Sequence, residues 1–154
     1  MTDYPSIAQL VPHDEPMIFI DRAIDIQQDS VHCQVDIGEN NLFFNLEQNS
    51  IPAYVGIEFM AQSLAAWSGY HSLQKGEQPA IGFLLGSRRY ISHCDAFGKG
   101  QTLDVYAEKL MEDNGMAVFT ARIEFEQKVL ASCQLNVYVP SEDKLKEMKT
   151  RSQQ

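Results

Sequence analysis

A chain of 154 residues, 44% hydrophobic and 21% charged, has the length and apolar content for one domain with a workable core. Its net charge of −9 excludes nucleic acid and anionic membrane as principal partners. Cys33, Cys94 and Cys133 are an odd, widely spaced set that gives neither a disulfide framework nor metal-ligand spacing. A reducing cytoplasm is therefore the expected compartment, with no metal and no cofactor.

The opening MTDYPSIAQL has no basic start and no apolar run, so no secretory leader is expected. Ser6 to Leu10 can make a short helical turn. Met17 to Ile26 reads as a strand. Val31, Cys33, Val35 and Ile37 alternate with polar neighbours, the period of a half-buried strand, and Gln-Gln-Asp-Ser between the two runs predicts a hairpin. Gly38 to Ser50 is polar and loop-like around Leu42, Phe43 and Phe44.

Ile51 to Gln74 is the stretch that sets the architecture. Glu58 is its only formally charged side chain, and apolar residues leave no wide polar stripe at helical spacing. Such a helix belongs inside a protein, and Pro52 suits its first turn. Its Gly, Ser and Gln content argues against a membrane span. A lone carboxylate on a buried helix is a candidate for proton transfer. The plainer alternative is a carboxylate near the helix end that reaches water.

Lys75 to Pro79 ends the helix. Four further strands follow, at Ile81–Ile91, Gln101–Met111, Met116–Glu126 and Val129–Val139. Asp113-Asn114-Gly115 is a strong hairpin signal, and Glu126-Gln127-Lys128 a weaker one. Two strands, one long apolar helix and four strands imply an α+β fold, with the helix covered by a curled antiparallel sheet. The expected division is one domain over residues 1–140 and a charged tail over 141–154. That tail holds four of the twelve basic side chains, which leaves a body of 8 basic and 18 acidic residues.

Three stretches resemble a known family. Leu10-x-Pro12-His13-x-x-Pro16 precedes an apolar run and Asp21-Arg22. Pro52 leads to Glu58-Phe59-Met60-Ala61-Gln62. Gly86-x-x-Arg89-Tyr90 is followed by Gly100-Gln101-Thr102-Leu103. In this order and spacing they are similar to the hotdog-fold β-hydroxyacyl-ACP dehydratases of bacterial fatty-acid synthesis, the FabZ type. The resemblance implies a curved sheet around the central helix, a dimer whose sheets join edge to edge, and acyl tunnels at the interface. It places a catalytic acid at Glu58. It also implies a histidine on the facing subunit, from a Gly-His-Phe-Pro segment, so that the pair removes an α proton and expels the β-hydroxyl as water. The substrate is then an acyl-ACP or acyl-CoA thioester, with contacts at Phe44, Asn45, Ala53, Phe59 and Gln62.

The chain departs from this pattern where the histidine should stand. It has Phe43-Phe44-Asn45-Leu46-Glu47-Gln48-Asn49 there, and Ala53 replaces the glycine after the helix-start proline. In this it resembles the second dehydratase-like component of aryl-polyene pathways, a subunit that would act with a histidine-bearing paralogue. Partner assembly is therefore expected as a homodimer or a heterodimer with a related hotdog subunit, or as a higher oligomer.

His13 is the candidate replacement base, and the plainer reading is that it hydrogen-bonds within a proline-flanked loop. Asn45 is an amide, able to polarise a carbonyl or position water but not to take a proton. Gln62 lies one turn after Glu58 on the same face, placed to orient the carboxylate. Arg88, Arg89 and Lys99 are the one compact basic group of the body, suited to docking an acidic carrier protein or simply a solvated strand end. A tunnel walled by Phe59, Met60, Leu64 and Trp67 would be apolar; the same residues would equally fill a core. Three functions follow in order: a 3-hydroxyacyl-thioester dehydratase, a half-site or non-catalytic partner of a complete dehydratase, and a hotdog acyl thioesterase in which one carboxylate activates water.

Overall fold

The computed structural model of the chain describes residues 4–12, 14–76 and 83–138. The expected tail at 141–154 lies outside them, and so does His13. A short helix α1 (Ile7–Leu10) leads to strands β1 (Arg22–Ile26) and β2 (Ser30–Asp36). Strand β3 (Ser50–Pro52) and a 3-10 turn (Ala53–Val55) run into the long helix α2 (Gly56–Gln74). Then come β4 (Phe83–Ser92), β5 (Ala96–Gly98), β6 (Thr102–Asp113), β7 (Met116–Phe125) and β8 (Lys128–Tyr138).

Six strands form one antiparallel sheet in the order β1-β2-β6-β7-β8-β4, and β3 pairs with β5 in a small second sheet. The period-2 pattern shows why one face is covered. Val31, Cys33 and Val35 on β2, Leu103, Val105 and Ala107 on β6, Phe119, Ala121 and Ile123 on β7, and Ala131 and Leu135 on β8 are all buried. They meet Phe59, Met60, Leu64 and Ala66 of α2 in one core. Asn114 and Gly115 both have positive φ, as a two-residue turn between strands of this twist requires. Glu126 and Gln127 make the same turn, at φ 49° and 70°, without a glycine.

Two glycines set how closely α2 is held. A Cβ on Gly69 would stand 1.8 Å from the carbonyl oxygen of Leu10, so the end of α1 rests directly on the helix backbone. A Cβ on Gly56 would stand 2.7 Å from the Tyr90 hydroxyl and 2.9 Å from Ile123. The helix start is thus clamped between β4 and β7.

Three expectations need correction. The strand expected from Met17 begins only at Arg22, because the Phe19 N–H and the Met17 carbonyl are taken by the Gln62 side chain at 2.8 and 2.7 Å. The helix expected from Ile51 begins at Gly56, because Ser50 to Pro52 pair with Gly98 to Ala96. Finally, α2 is not sealed on all sides: Glu58 is exposed, and Ala61, Ala65 and Ser68 are only half-buried.

Candidate active site

The half-covered side of α2 faces a groove of about 420 Å³ between the helix and the inner face of β7 and β8. Among the α2 residues that line it, Glu58, Ala61, Ala65, Ser68 and His71 recur every three or four residues and so lie along one side of the helix. Phe119 and Ala117 of β7 and Val137 of β8 form the opposite wall, and Pro12 also borders it. The volume and the mostly apolar lining with a few polar groups are those of a small-molecule site. Glu58 marks the N-terminal end and His71 lies near the C-terminal end, a separation of roughly 20 Å along the axis at the helical rise.

Glu58 stands in the first turn of α2, and the single chain leaves it open to solvent. The expectation of a carboxylate shut inside the protein is therefore corrected. The carboxylate reaches the groove because Phe59 and Met60, the next two residues, are wholly buried and fix the rotation of the helix.

Just upstream, the peptide leading into the helix is tied at both ends. The Ala53 N–H donates to the Asp95 carbonyl at 3.0 Å, and the Ala53 carbonyl accepts a hydrogen bond from the Tyr90 hydroxyl. Burial pushes the Tyr90 phenol up to about 12, so it remains a neutral donor at physiological pH. Ala53 was expected to touch substrate; its own N–H is already spent within the chain.

The other expected site residues are dispersed. Gln62 also borders the groove but is only 1% exposed, and both ends of its amide bind the backbone of Met17 and Phe19 rather than Glu58. It pins the segment before β1 to the helix, and losing it would leave two backbone groups unpaired at about 1–3 kcal/mol each. Phe59 is fully buried, its ring centroid 5.8 Å from that of Phe97, and it fills the core rather than lining the groove. Asn45 is exposed, and its Oδ1 accepts the Gln48 N–H at 3.0 Å. Phe44 is half-buried against the core. Arg88 and Arg89 are exposed on β4, where a bulge puts Arg89 at φ 57°. Lys99 follows β5 and is paired with Glu39 at 3.0 Å, which withdraws part of the expected basic patch.

His71 stands 13 residues after Glu58 on α2, about 20 Å away by helical rise, too far to pair with it. It borders the groove, where its Nε2 lies 2.8 Å from the Gln27 carbonyl, with Trp67 and Tyr70 edge-on to its ring at 5.0 and 5.7 Å. The small residues at 61, 65 and 68 were a signal for this face, since they cannot fill the space beside a sheet. Among the described residues, no group of three or more His, Cys, Asp or Glu side chains is arranged to hold a metal ion. No described helix is long and apolar enough to cross a membrane.

Comparison with known proteins adds four findings. The ApeP-like family, described as ApeP dehydratase, matches residues 5–150. The 3-hydroxyacyl-[acyl-carrier-protein] dehydratase FabZ of Streptococcus sanguinis is 26% identical over 132 residues, covering 86% of this chain and 94% of that protein. Among solved structures, the dehydratase heterocomplex ApeI:P from Xenorhabdus doucetiae superposes with a TM-score of 0.84 at 30% identity, over 95% of this chain and 98% of that one. A hypothetical thioesterase with coenzyme A from Streptococcus pneumoniae reaches a TM-score of 0.62 at 10% identity over 78% of this chain and 85% of that one, a likeness of hotdog fold alone.

Proposed function

We propose, on the premise that this chain belongs to the ApeP dehydratase family, that it contributes the carboxylate half of a hotdog dehydratase site. The reaction is that of a hydro-lyase on a 3-hydroxyacyl thioester carried by ACP or coenzyme A, giving a trans-2-enoyl thioester. The observation that carries this reading is Glu58, a carboxyl in the first turn of α2 at the head of an open, mostly apolar groove. Glu58 gives a proton to the β-hydroxyl as the C–O bond breaks, while a base takes the α proton and the electron pair of that C–H bond forms the double bond. Within hydrogen-bond reach of a substrate, two such groups are required.

The loop that precedes the helix, residues 38–50, carries no histidine. The base therefore comes from a related hotdog subunit facing Glu58, or from His13. The partner reading is favoured by the 30% identity to a chain of a dehydratase heterocomplex. It is favoured too by Glu58 being exposed in the single chain, since a covering subunit would exclude water from the site. Arg88 and Arg89 are the remaining docking surface for an acidic carrier protein. The protein acts in the cytoplasm, where its three free thiols stay reduced.

The test is Glu58→Gln, which keeps size and hydrogen bonding but removes the exchangeable proton. Turnover of a 3-hydroxyacyl thioester is expected to fall at least about 100-fold, the low end for a general acid or base. It should be measured on the chain alone and mixed with a histidine-bearing hotdog paralogue. A loss seen only in the mixture means that the partner supplies the base. A variant that matches wild type in both settings removes Glu58 from the chemistry.

A further inference from the structure

Helix α2 begins without the side chain that usually fixes a helix start. The residue before it is Val55, which has no side-chain oxygen for an orphan N–H and makes no capping hydrogen bond. Helix ends left in this way fray, and Glu58 stands in that first turn.

The anchor comes from the sheet instead. The Ala53 carbonyl accepts two hydrogen bonds, one from the Gly56 N–H that closes the 3-10 turn and one from the Tyr90 hydroxyl of β4. The Ala53 N–H donates to the Asp95 carbonyl at 3.0 Å. The Tyr90 oxygen also bounds the seat of Gly56, where a Cβ would stand 2.7 Å from it. One hydroxyl therefore touches both the residue that enters the turn and the first residue of α2, two positions before the carboxylate.

An irregularity in β4 accompanies this contact. Arg88 pairs with Gln134 and Ile91 with Ser132, so three steps along β4 match two along β8. The extra residue makes a bulge, with Arg89 at φ 57°, a region that residues other than glycine seldom adopt. Bulges re-aim the side chains beside them. The Tyr90 ring packs against the core. Phenylalanine would fill that space equally well, so packing does not account for the hydroxyl.

We propose that Tyr90 is a positioning residue for Glu58: its hydroxyl does the work of a helix cap and holds the first turn of α2 in one place against the sheet. This rests on the dehydratase reading above for what Glu58 does. Rates respond steeply to such placement, a shift of about 1 Å being enough to change them by about a hundredfold.

Tyr90→Phe removes the hydroxyl and keeps the ring. It is assayed on a 3-hydroxyacyl thioester in the assembly with a histidine-bearing hotdog paralogue, beside Cys33→Ala, a variant weakened elsewhere in the core. Tyr90→Phe is expected to lower kcat at least about tenfold and to leave KM within about twofold. Cys33→Ala leaves both within about twofold of wild type. Amide hydrogen exchange from Gly56 to Phe59 becomes at least about tenfold faster in Tyr90→Phe, while exchange from Leu64 to Tyr70 is unchanged.

A Tyr90→Phe kcat within about twofold of wild type overturns the proposal, as does an equal loss of rate in Cys33→Ala. So does exchange that rises evenly along α2, which describes a helix loosened as a whole. A wild type that turns over no 3-hydroxyacyl thioester removes the dehydratase reading. Faster exchange confined to the first turn of Tyr90→Phe then still shows the hydroxyl holding Glu58 in place, and unchanged exchange there overturns this proposal too.

Discussion

Individual side chains divide between those held for structure and those left open. Gln62 and Glu58 are one helical turn apart, yet Gln62 is sealed among backbone partners and Glu58 faces solvent and the groove. Cys33 is another sealed group. It is fully buried, and loss of solvation pushes its thiol up from 9.0 to about 11, against the smaller opposing effect of a hydrogen bond with Ser63. Burial moves Cys133 to about 11 in the same way. Between pH 9 and 11 the unfolded chain has released these protons and the folded chain has not. Stability therefore falls as pH rises through that window, and Cys33 adds no slope below it. Urea unfolding should show a loss of about 3 kcal/mol from Cys33 over the window. Cys33→Ala should lower stability throughout but flatten this part of the profile. An unchanged alkaline slope would show that burial does not hold the Cys33 thiol protonated.

At the scale of elements, α2 is positioned less by its own propensity than by what presses on it. Gly69 would ordinarily be improved by alanine, since glycine within a helix costs up to about 1 kcal/mol. Here the added Cβ would lie 1.8 Å from the Leu10 carbonyl oxygen, and backbone cannot turn away as a side chain can. Gly69→Ala is expected to destabilise the protein by about 1–3 kcal/mol, the range for overpacking, and to loosen α1. A more stable variant in denaturant unfolding would mean that α1 yields without cost. The same close seating at Gly56, against Tyr90 and Ile123, fixes where the first turn of α2 and its carboxylate stand relative to the sheet. Gln62 ties down the segment between α1 and β1 by side-chain bonds to its backbone, which is why the apolar run from Met17 does not continue the strand.

The whole molecule ends in two sheet edges, the five-residue β1 and the ten-residue β4. A long edge strand exposes unpaired backbone groups and is normally protected or paired. On β4, Ile91 is 51% exposed, beside the bulge at Arg89. Joining of two hotdog subunits through β4 would bury it. Ile91→Asp is then expected to weaken subunit association at least about tenfold, because burying such a side chain is worth about 1.5–3 kcal/mol. Analytical ultracentrifugation over a dilution series reads this directly. An unchanged association constant would place the interface away from this edge.

Sequence alone determined the order of the long elements, though not the short strands β3 and β5, because that order is written in local chemistry. Period-2 alternation marks β2 and β6 to β8, Asn114-Gly115 marks a turn, and a nearly uncharged run marks the helix at the centre. The three matching stretches, and the missing histidine between Phe43 and Asn49, were legible for the same reason: each is a short contiguous string. The tertiary structure decided what depends on rotation and contact. The helix pattern could not reveal that one side would stay open, because small residues at 61, 65 and 68 look the same whether they pack against a neighbour or border a groove. Nor could it give Gln62 its role, since the partners at Met17 and Phe19 are more than forty residues away in sequence. Glu58 was found from its isolation in sequence, but its exposure was set by Phe59 and Met60 turning inward, a matter of which helix face the sheet could reach.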